Sequence, residues 1–326
     1  MVIEFKHGGT KLQQMVDAFS IAIGQGQLKM GDSLPSINHL SKMNHVSRDT
    51  VFKVYLELKR RGLVDSTSTK GYHVNGAVNK VLMLLDVFSP FKDVLYNSFA
   101  SNLPKNYSID LLFHHYNLRM FESVINDSLG RYSMFVVMNF NNDRISDVLK
   151  KIDQGKLLIL DWGKYKAGTY PYVCQDFDLG LYHSLTSGLP QIRKYRKMVM
   201  WLPDSSPHPR SSVKWFRRFC KDHEIDCHVA EHFSEKDVES ETAYLVVPQK
   251  ELVEMIKFCH NKCLKLGHDV GLIGYNDMPI YEIIENGITV ISTDFEQMGK
   301  QAAKFVSTRQ KVKEIIPTRL IVRGTL

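Results

Sequence analysis

Hydrophobic positions recur along this chain with two different rhythms, and the change falls near residue 79. Before it the spacing is helical. Leu12, Met15, Val16, Phe19 and Ile23 share one face of a helix that Thr10 can cap and that Gly24-Gln25-Gly26 should end. Ser36 stands before Ile37, Leu40 and Met43. Ser47 stands before Val51, Val54, Tyr55 and Leu58, which fall at i, i+3, i+4 and i+7. Two short helices are predicted there, joined by the polar turn Asn44-His45-Val46, with Arg48, Asp49, Thr50 and Lys53 off the apolar stripe of the second. After Gly62, the segments Leu63-Val64-Asp65-Ser66 and Tyr72-His73-Val74 flank a polar turn through Lys70-Gly71, which predicts a hairpin. Three helices and a hairpin make an α+β winged helix-turn-helix over residues 1–76, followed by a linker at 77–80.

From residue 81 the apolar residues run together. Val81-Leu82-Met83-Leu84-Leu85 ending at Asp86 reads as a strand buried on both faces of a parallel sheet. A helical stretch follows (Val94, Tyr96, Phe99, Leu103), and the alternation repeats with strands over 109–113, 134–139 and 157–161 and helices over 118–129 and 145–152. A second run predicts helices over 180–189, 212–224, 250–266 and 296–307, and strands over 197–202, 226–230, 243–247, 269–274 and 288–292. Strands alternating with helices of this length imply βαβ units, so residues 81–326 should form an α/β body of two doubly wound lobes.

Composition narrows the picture in three ways. The net charge is +7, and residues 1–77 hold ten Lys and Arg against six Asp and Glu, so over half of the excess lies in the first quarter of the chain. That suits a phosphate-facing domain. Five cysteines without paired spacing argue against a disulfide framework and for a reducing cytoplasm. No 18-residue apolar run and no signal-like stretch occurs, so neither export nor membrane insertion is expected.

Four pieces in order carry a specific resemblance: LPS at 34–36, VSRDTV at 46–51, LKRRGLV at 58–64 and KGYHV at 70–74. Together they resemble the winged helix-turn-helix of the GntR family. The resemblance implies that Arg48 and Thr50 meet phosphates or base edges and Ser47 a phosphate, and that Gly71 lets the wing approach the minor groove. Ser36, Asn38, Asp49, Lys53, Lys70 and Tyr72 complete the DNA-facing set it implies. Asn38 stands where many members carry Arg, and Asn favours adenine where Arg favours guanine.

Further on, DVGLIGYNDMPIYEIIENGITVISTDFEQMGKQAAKFV at 269–306 resembles the end of LacI-type effector domains, which have the type I periplasmic sugar-binding fold. A GntR head on such a body is the arabinose-repressor arrangement. It implies an operator-binding homodimer that responds to a monosaccharide or sugar derivative, with no cofactor and no metal. Ligands of open α/β sheets bind outside the carboxyl ends of the strands. By position in that template, Asn139, Asp161, Arg210, Asn276 and Thr293 would supply polar groups, and Phe88 and Phe91 an apolar side, in the cleft between the lobes. Asn276 replaces the usual Asp and Thr293 a frequent Gln, and the Asn-Asp pair expected near Val247-Pro248-Gln249 is missing.

Other signals carry less. Cys259 and Cys263 lie at i, i+4 without a second pair of metal-ligand spacing, so helix packing explains them. His114, His115, His208, His223, His228 and His232 lack partner carboxylates at recognisable spacing and read as surface or satisfied residues. No GxSxG, HExxH or P-loop pattern is present. The expected function is a regulator, with repression released by effector, rather than an enzyme. The alternative is a GntR head on a body derived from a pyridoxal-phosphate enzyme, which would need a Schiff-base lysine in a recognisable loop.

Overall fold

Each helix of the head begins where a hydroxyl can replace a missing backbone acceptor. The computed structural model describes residues 2–5, 9–67, 71–75, 79–140, 145–161, 169–231 and 238–326. Helix α1 spans Lys11–Gly24, α2 Ile37–Asn44 and α3 Arg48–Arg60, and their N-caps Thr10, Ser36 and Ser47 accept from the amides of Gln13, His39 and Thr50. His45 takes the left-handed conformation, φ 49°, that turns the chain between α2 and α3. Met15, Val16, Phe19, Leu40, Val51, Val54, Tyr55 and Leu58 are fully buried, so the predicted stripes meet as one core. Strands β1 Val64–Thr67 and β2 Gly71–Val74 pair antiparallel as the wing, with Val64 opposite Val74.

The chain divides into two compact units. The first comprises Met1–Phe88, Asn97–Val173 and Gly299–Lys313, and the second Ser89–Tyr96, Cys174–Met298 and Glu314–Leu326. Beyond the head come β3 Asn79–Leu85, α4 Pro90–Ser101, β4 Tyr107–Phe113, α5 Leu118–Ser128, β5 Met134–Val137, β6 Leu157–Asp161 and β7 Tyr172–Gln175. Then follow α6 Leu179–Ser187, α7 Leu189–Ile192, β8 Lys197–Trp201, α8 Ser211–Asp222, β9 Asp226–Ala230, β10 Thr242–Val246, α9 Gln249–Asn261 and β11 Val270–Tyr275. The chain closes with β12 Thr289–Thr293, α10 Phe295–Thr308, β13 Lys313–Ile316 and β14 Thr318–Ile321. One six-stranded sheet has the order β13-β7-β6-β5-β3-β4 and the other β14-β12-β11-β10-β8-β9. Neighbours β3 with β4 and β5, and β10 with β8 and β11, are parallel. Val81–Leu85 and Thr242–Val246 are buried throughout, which is what continuous apolar runs require of strands covered on both faces. Each sheet is therefore doubly wound, as the alternation predicts.

Four expectations change. No α-helix forms over 145–152; the described residues make 3-10 turns at Asp147–Lys151 and Gln154–Lys156. Val148, Leu149 and Ile152 still cover the sheet, but the chain turns extended at Ile152, and Asp153 then accepts from the Gly155 amide at 2.7 Å as the cap of the next turn. The helix predicted over 180–189 breaks at Gly188, because Pro190 can start α7 but cannot continue α6. The helix predicted over 250–266 stops at Asn261, where Cys263 adopts φ 55° and the Leu264 amide reaches back to the Cys259 carbonyl at 2.9 Å. The short strands β7, β13 and β14 carry no long apolar run, so the pattern passed over them. Asn79 and Lys80, read as linker, already belong to β3, while 76–78 lie outside the described residues.

The head packs on the sheet domain of its own unit. Lys156 Nζ donates to the carbonyls of Ile23 and Gly24, at 3.3 and 3.1 Å, which are terminal acceptors of α1. Ile21 packs against the apolar cluster around Phe121, Ile125 and Leu129. Gly130 has φ 77°, and a Cβ there would stand 2.8 Å from Leu63 Cδ2 of the head. Burial lowers the Lys156 pKa, so the ammonium gives up water for those carbonyls. Replacing Lys156 with Ala should leave two half-buried acceptors short of a charged donor and cost about 1–2 kcal/mol of unfolding free energy. Urea titration of the variant against the parent checks this.

Candidate DNA-reading face and ligand-binding strand ends

The N-terminus of α3 is open to solvent and carries its own cap. Ser47 Oγ accepts from the Thr50 amide at 3.0 Å and lies 2.8 Å from Thr50 Oγ1. Asp49 and Lys53 pair at 2.8 Å, while Arg48 pairs with no acid among the described residues. Ser36, Asn38, Ser47, Arg48, Asp49, Lys53 and Gly71 are exposed, and Thr50 is half-buried. Gly71 has φ 66°, which a larger residue would adopt only with strain. Tyr72 is half-buried, its ring 4.4 Å from that of Tyr55, so it helps to close the head's core. Lys70 lies outside the described residues. At the other end of α3, Arg60 and Arg61 both donate to Glu57 and hold its carboxyl down at about 2. Pattern reading also passed over Phe52 and Leu56, which stand exposed on α3.

In the first unit the strands end on a tight polar group. Tyr116 donates its hydroxyl to Asp86 Oδ2 at 2.5 Å; burial, then Asp86 and Asp161, hold the phenol protonated well above its ordinary range. Asp161 is buried at the end of β6 with φ 67°, and Asn139 is buried beyond β5, accepting from the Ser146 amide at 3.2 Å. His114 is fully buried among Phe121, Tyr116 and Phe140, at 5.2, 5.8 and 5.9 Å between rings. Its Nδ1 accepts from the Tyr116 amide at 3.2 Å, so the proton sits on Nε2. Phe88 is 66% exposed, its ring edge-on to Phe113. Asp86, His114 and Tyr116 were not among the sequence candidates. The one available signal was Asp86 closing an apolar run.

In the second unit a cavity of about 590 Å³ brings Phe91 and Thr293 together with Asp277, Phe295 and Arg319. The Phe91 and Phe295 rings lie 4.7 Å apart. Thr293 is buried, donating to Gln175 Oε1 at 3.3 Å and lying 3.0 Å from Thr318 Oγ1. Asn276 has φ 63°, and its backbone amide donates to the Ile291 carbonyl at 2.9 Å while its Oδ1 is buried without a partner among the described residues. Beside it, Asp277 takes a two-pronged bond from Arg323 at 2.9 and 2.7 Å. Arg210 does not line that cavity; its guanidinium donates to the Leu202 carbonyl at 3.1 Å and pairs with Asp204 on the same loop. Two residues upstream, His208 is nearly buried, 4.6 Å from the Tyr275 ring and 5.3 Å from Phe177. Its Nε2 lies 2.8 Å from Ser212 Oγ, which itself donates to the Phe177 carbonyl, so Nε2 carries the proton. Among the described residues no group of three His, Cys, Asp or Glu is placed to hold a metal ion, and no helix is long and apolar enough to cross a membrane.

Residues 11–74 match the family model of bacterial regulatory proteins, gntR family, and residues 192–326 match that of the periplasmic binding protein-like domain. The chain joins a GntR-type DNA-binding domain to a periplasmic-binding-protein-like domain. The structure of the trehalose repressor from Escherichia coli superimposes with a TM-score of 0.63 at 15% identity, over 75% of this chain and 100% of that one. A LacI family transcriptional regulator from Lactobacillus casei with bound glucose gives 0.62 at 14%, over 76% and 99%. One from Enterococcus faecalis V583 with bound ribose gives 0.61 at 19%, over 76% and 98%. At these identities the likeness is one of fold. No curated protein matches the sequence.

His208 makes the periplasmic-binding-protein-like domain sensitive to acid. Burial pushes its pKa from 6.5 down to about 3. The folded protein keeps the ring neutral, while the unfolded chain takes up a proton below about pH 6.5, so stability is complete above that value and is lost progressively as pH falls toward 3. Between pH 7 and pH 5 the loss from this residue should be about 2 kcal/mol. His208→Gln keeps an N–H for Ser212 without the titration. Melting temperatures at pH 7 and pH 5 should therefore converge in the variant relative to the parent.

Proposed function

We propose that the protein is an effector-controlled transcription regulator: a cytoplasmic homodimer that represses by holding an operator and releases it on binding a monosaccharide or sugar derivative. The observation that carries this reading is the combination, in one chain, of an exposed, capped α3 N-terminus and two sheets whose strands end on polar groups. Asn139, Asp161 and Asn276 offer hydrogen-bonding groups suited to vicinal hydroxyls, and Phe91 offers an aromatic face suited to the C–H side of a sugar. The relatives with glucose and ribose bound support a carbohydrate class. Leu112, Leu118 and Met120 in the first unit and Ile280 and Ile283 in the second are exposed apolar side chains that a second copy would cover.

On this reading each head places the Ser47 end of α3 in a major groove with its wing alongside. The effector takes its hydrogen bonds from polar strand ends. It shifts operator affinity only by the difference in its own affinity for the two states. Thermal-shift screening against monosaccharides and their phosphates tests the ligand class. Stabilisation by none of them would count against it.

Two substitutions separate the functions. Arg48→Ala should weaken operator binding by about 1–3 kcal/mol if the guanidinium meets a base edge, or reduce the salt slope by about one if it meets a phosphate. Titrations at several salt concentrations distinguish these outcomes, and a folded variant with neither effect would remove Arg48 from the interface. Asp161→Ala or Asn276→Ala should leave operator binding intact and weaken effector binding by about 0.5–1.5 kcal/mol for one lost hydrogen bond. Calorimetry of effector with and without operator then gives the sign of regulation: weaker binding with operator present for a repressor, tighter for an activator.

A further inference from the structure

A flank of α3 outside the predicted contact set has the chemistry of a base reader. Among the described residues of the head, four large apolar side chains are strongly exposed: Val2, Met30, Phe52 at 43% and Leu56 at 46%. The two on a helix both lie on α3, one turn apart. Counting about 100° per residue, they sit roughly 100° and 140° round the helix from Val51, away from the buried Val51, Val54, Tyr55 and Leu58. The core needs no more from this helix. The described contacts of the head with the neighbouring sheet domain come from Ile21, Ile23, Gly24 and Leu63, and Arg60 and Arg61 share a hollow with Asp127 and Arg131; Phe52 and Leu56 are in neither set.

The stripe has an order. Arg48, Phe52 and Leu56 follow at i, i+4 and i+8, and Lys59 and Arg60 lie at its far end. Arg48 has no acidic partner among the described residues, Lys59 Nζ lies 2.9 Å from Asp65, and Arg60 donates to Glu57 while its side chain stays 74% exposed. From Arg48 to Lys59 the helix rises about 17 Å at 1.5 Å per residue. A major groove is about 12 Å wide and is bordered by phosphates on both sides. Cations at the two ends of the stripe can then reach toward the two borders, which puts the apolar middle over base edges. Those edges are polar in the major groove except at one group, the C5 methyl of thymine.

We propose that Phe52, backed by Leu56, is a specificity residue that packs against thymine methyl groups in the operator. The inference rests on the DNA-regulator reading above and adds to it the base feature this chain selects. Duplexes selected from a random DNA library with the full-length protein supply the probe, and each is remade with deoxyuridine in place of thymidine, which removes the methyl and keeps every hydrogen-bonding group. The parent protein should bind the deoxyuridine duplex roughly three- to tenfold more weakly. Phe52→Ala should bind the thymidine duplex more weakly by a similar factor and should not distinguish the two duplexes. Leu56→Ala should narrow the preference without abolishing it. Both side chains lie outside the core, so the melting temperature should hardly move.

Equal binding of both duplexes by the parent, or a full thymidine preference retained in Phe52→Ala, would overturn the assignment. Retained preference together with reduced self-association in sedimentation would give the flank to a second copy of the chain instead. Enrichment of no duplex at all would overturn the DNA-regulator reading, and this inference with it.

Discussion

A parallel sheet covered on both faces leaves a protein only its strand ends for polar chemistry. Every ladder position of β3 from Val81 to Leu85, and of β10 from Ala243 to Val246, is buried, so a polar side chain there would be cut off from water. Polar groups therefore gather where the ladders stop. Asp161 and Asn276 each follow the last apolar residues of a central strand, and each has turned into the left-handed region, at φ 67° and φ 63°. Asp and Asn tolerate that conformation better than most residues, so the turn and the functional group come as one choice. The Tyr116–Asp86 bond shows the same constraint from the other side: a carboxylate at a strand end draws in a phenol that the apolar rings alone would not hold.

The body was legible in outline because its central strands are short apolar runs that alternate with longer stretches of helical spacing. Residues 81–85, 134–137 and 243–246 carry uninterrupted apolar runs of strand length, bounded by polar turns. The short elements were not legible. Strands β7, β13 and β14 are held by their neighbours, as where Val290 stands opposite Ile321, and four residues of mixed polarity do not announce such pairing. Over 145–152 a 3-10 turn that leaves the chain extended at Ile152 stands in place of an α-helix, and its buried Val148, Leu149 and Ile152 give the same apolar count as a helix would.

The helix starts of the head were legible because capping chemistry is local. A Ser, Thr or Asn accepts from an amide two or three residues on, so Ser36 and Ser47 declare helix starts without any knowledge of the rest of the fold. A ligand site gathers residues that are remote in sequence, and position in a template cannot say which way a side chain is spoken for. Arg210 is held by Leu202 and Asp204, and Thr293 by Gln175 and Thr318. His208 had no partner at recognisable spacing because its partners are a hydroxyl one helical turn away and two aromatic faces from other segments. Phe52 and Leu56 escaped for the opposite reason: periodicity finds the stripe that is buried and treats apolar residues off it as noise.

Strand β6 ties these observations together. Lys156, directly before it, donates to the last carbonyls of α1 in the head, and Asp161 ends it beside the Tyr116–Asp86 pair. Its residues Leu157 to Leu160 are fully buried between, and Val136 and Val137 pair with Leu158 and Ile159. A strand gripped in that way cannot lengthen or bend to absorb a displacement at one end, because close-packed side chains on both faces resist it. A displacement at Asp161 would thus act on the whole strand and on the lysine that meets the head. Lys156 makes two bonds of 3.1 and 3.3 Å, at the long end of the range for such contacts, in a half-buried setting; the Ile23 carbonyl also accepts from the Gly26 amide at 3.1 Å, so the Gly24 carbonyl depends more on the lysine. The head's seat on the sheet domain is accordingly the less secure end of the connection, and the end where a small shift has the larger consequence.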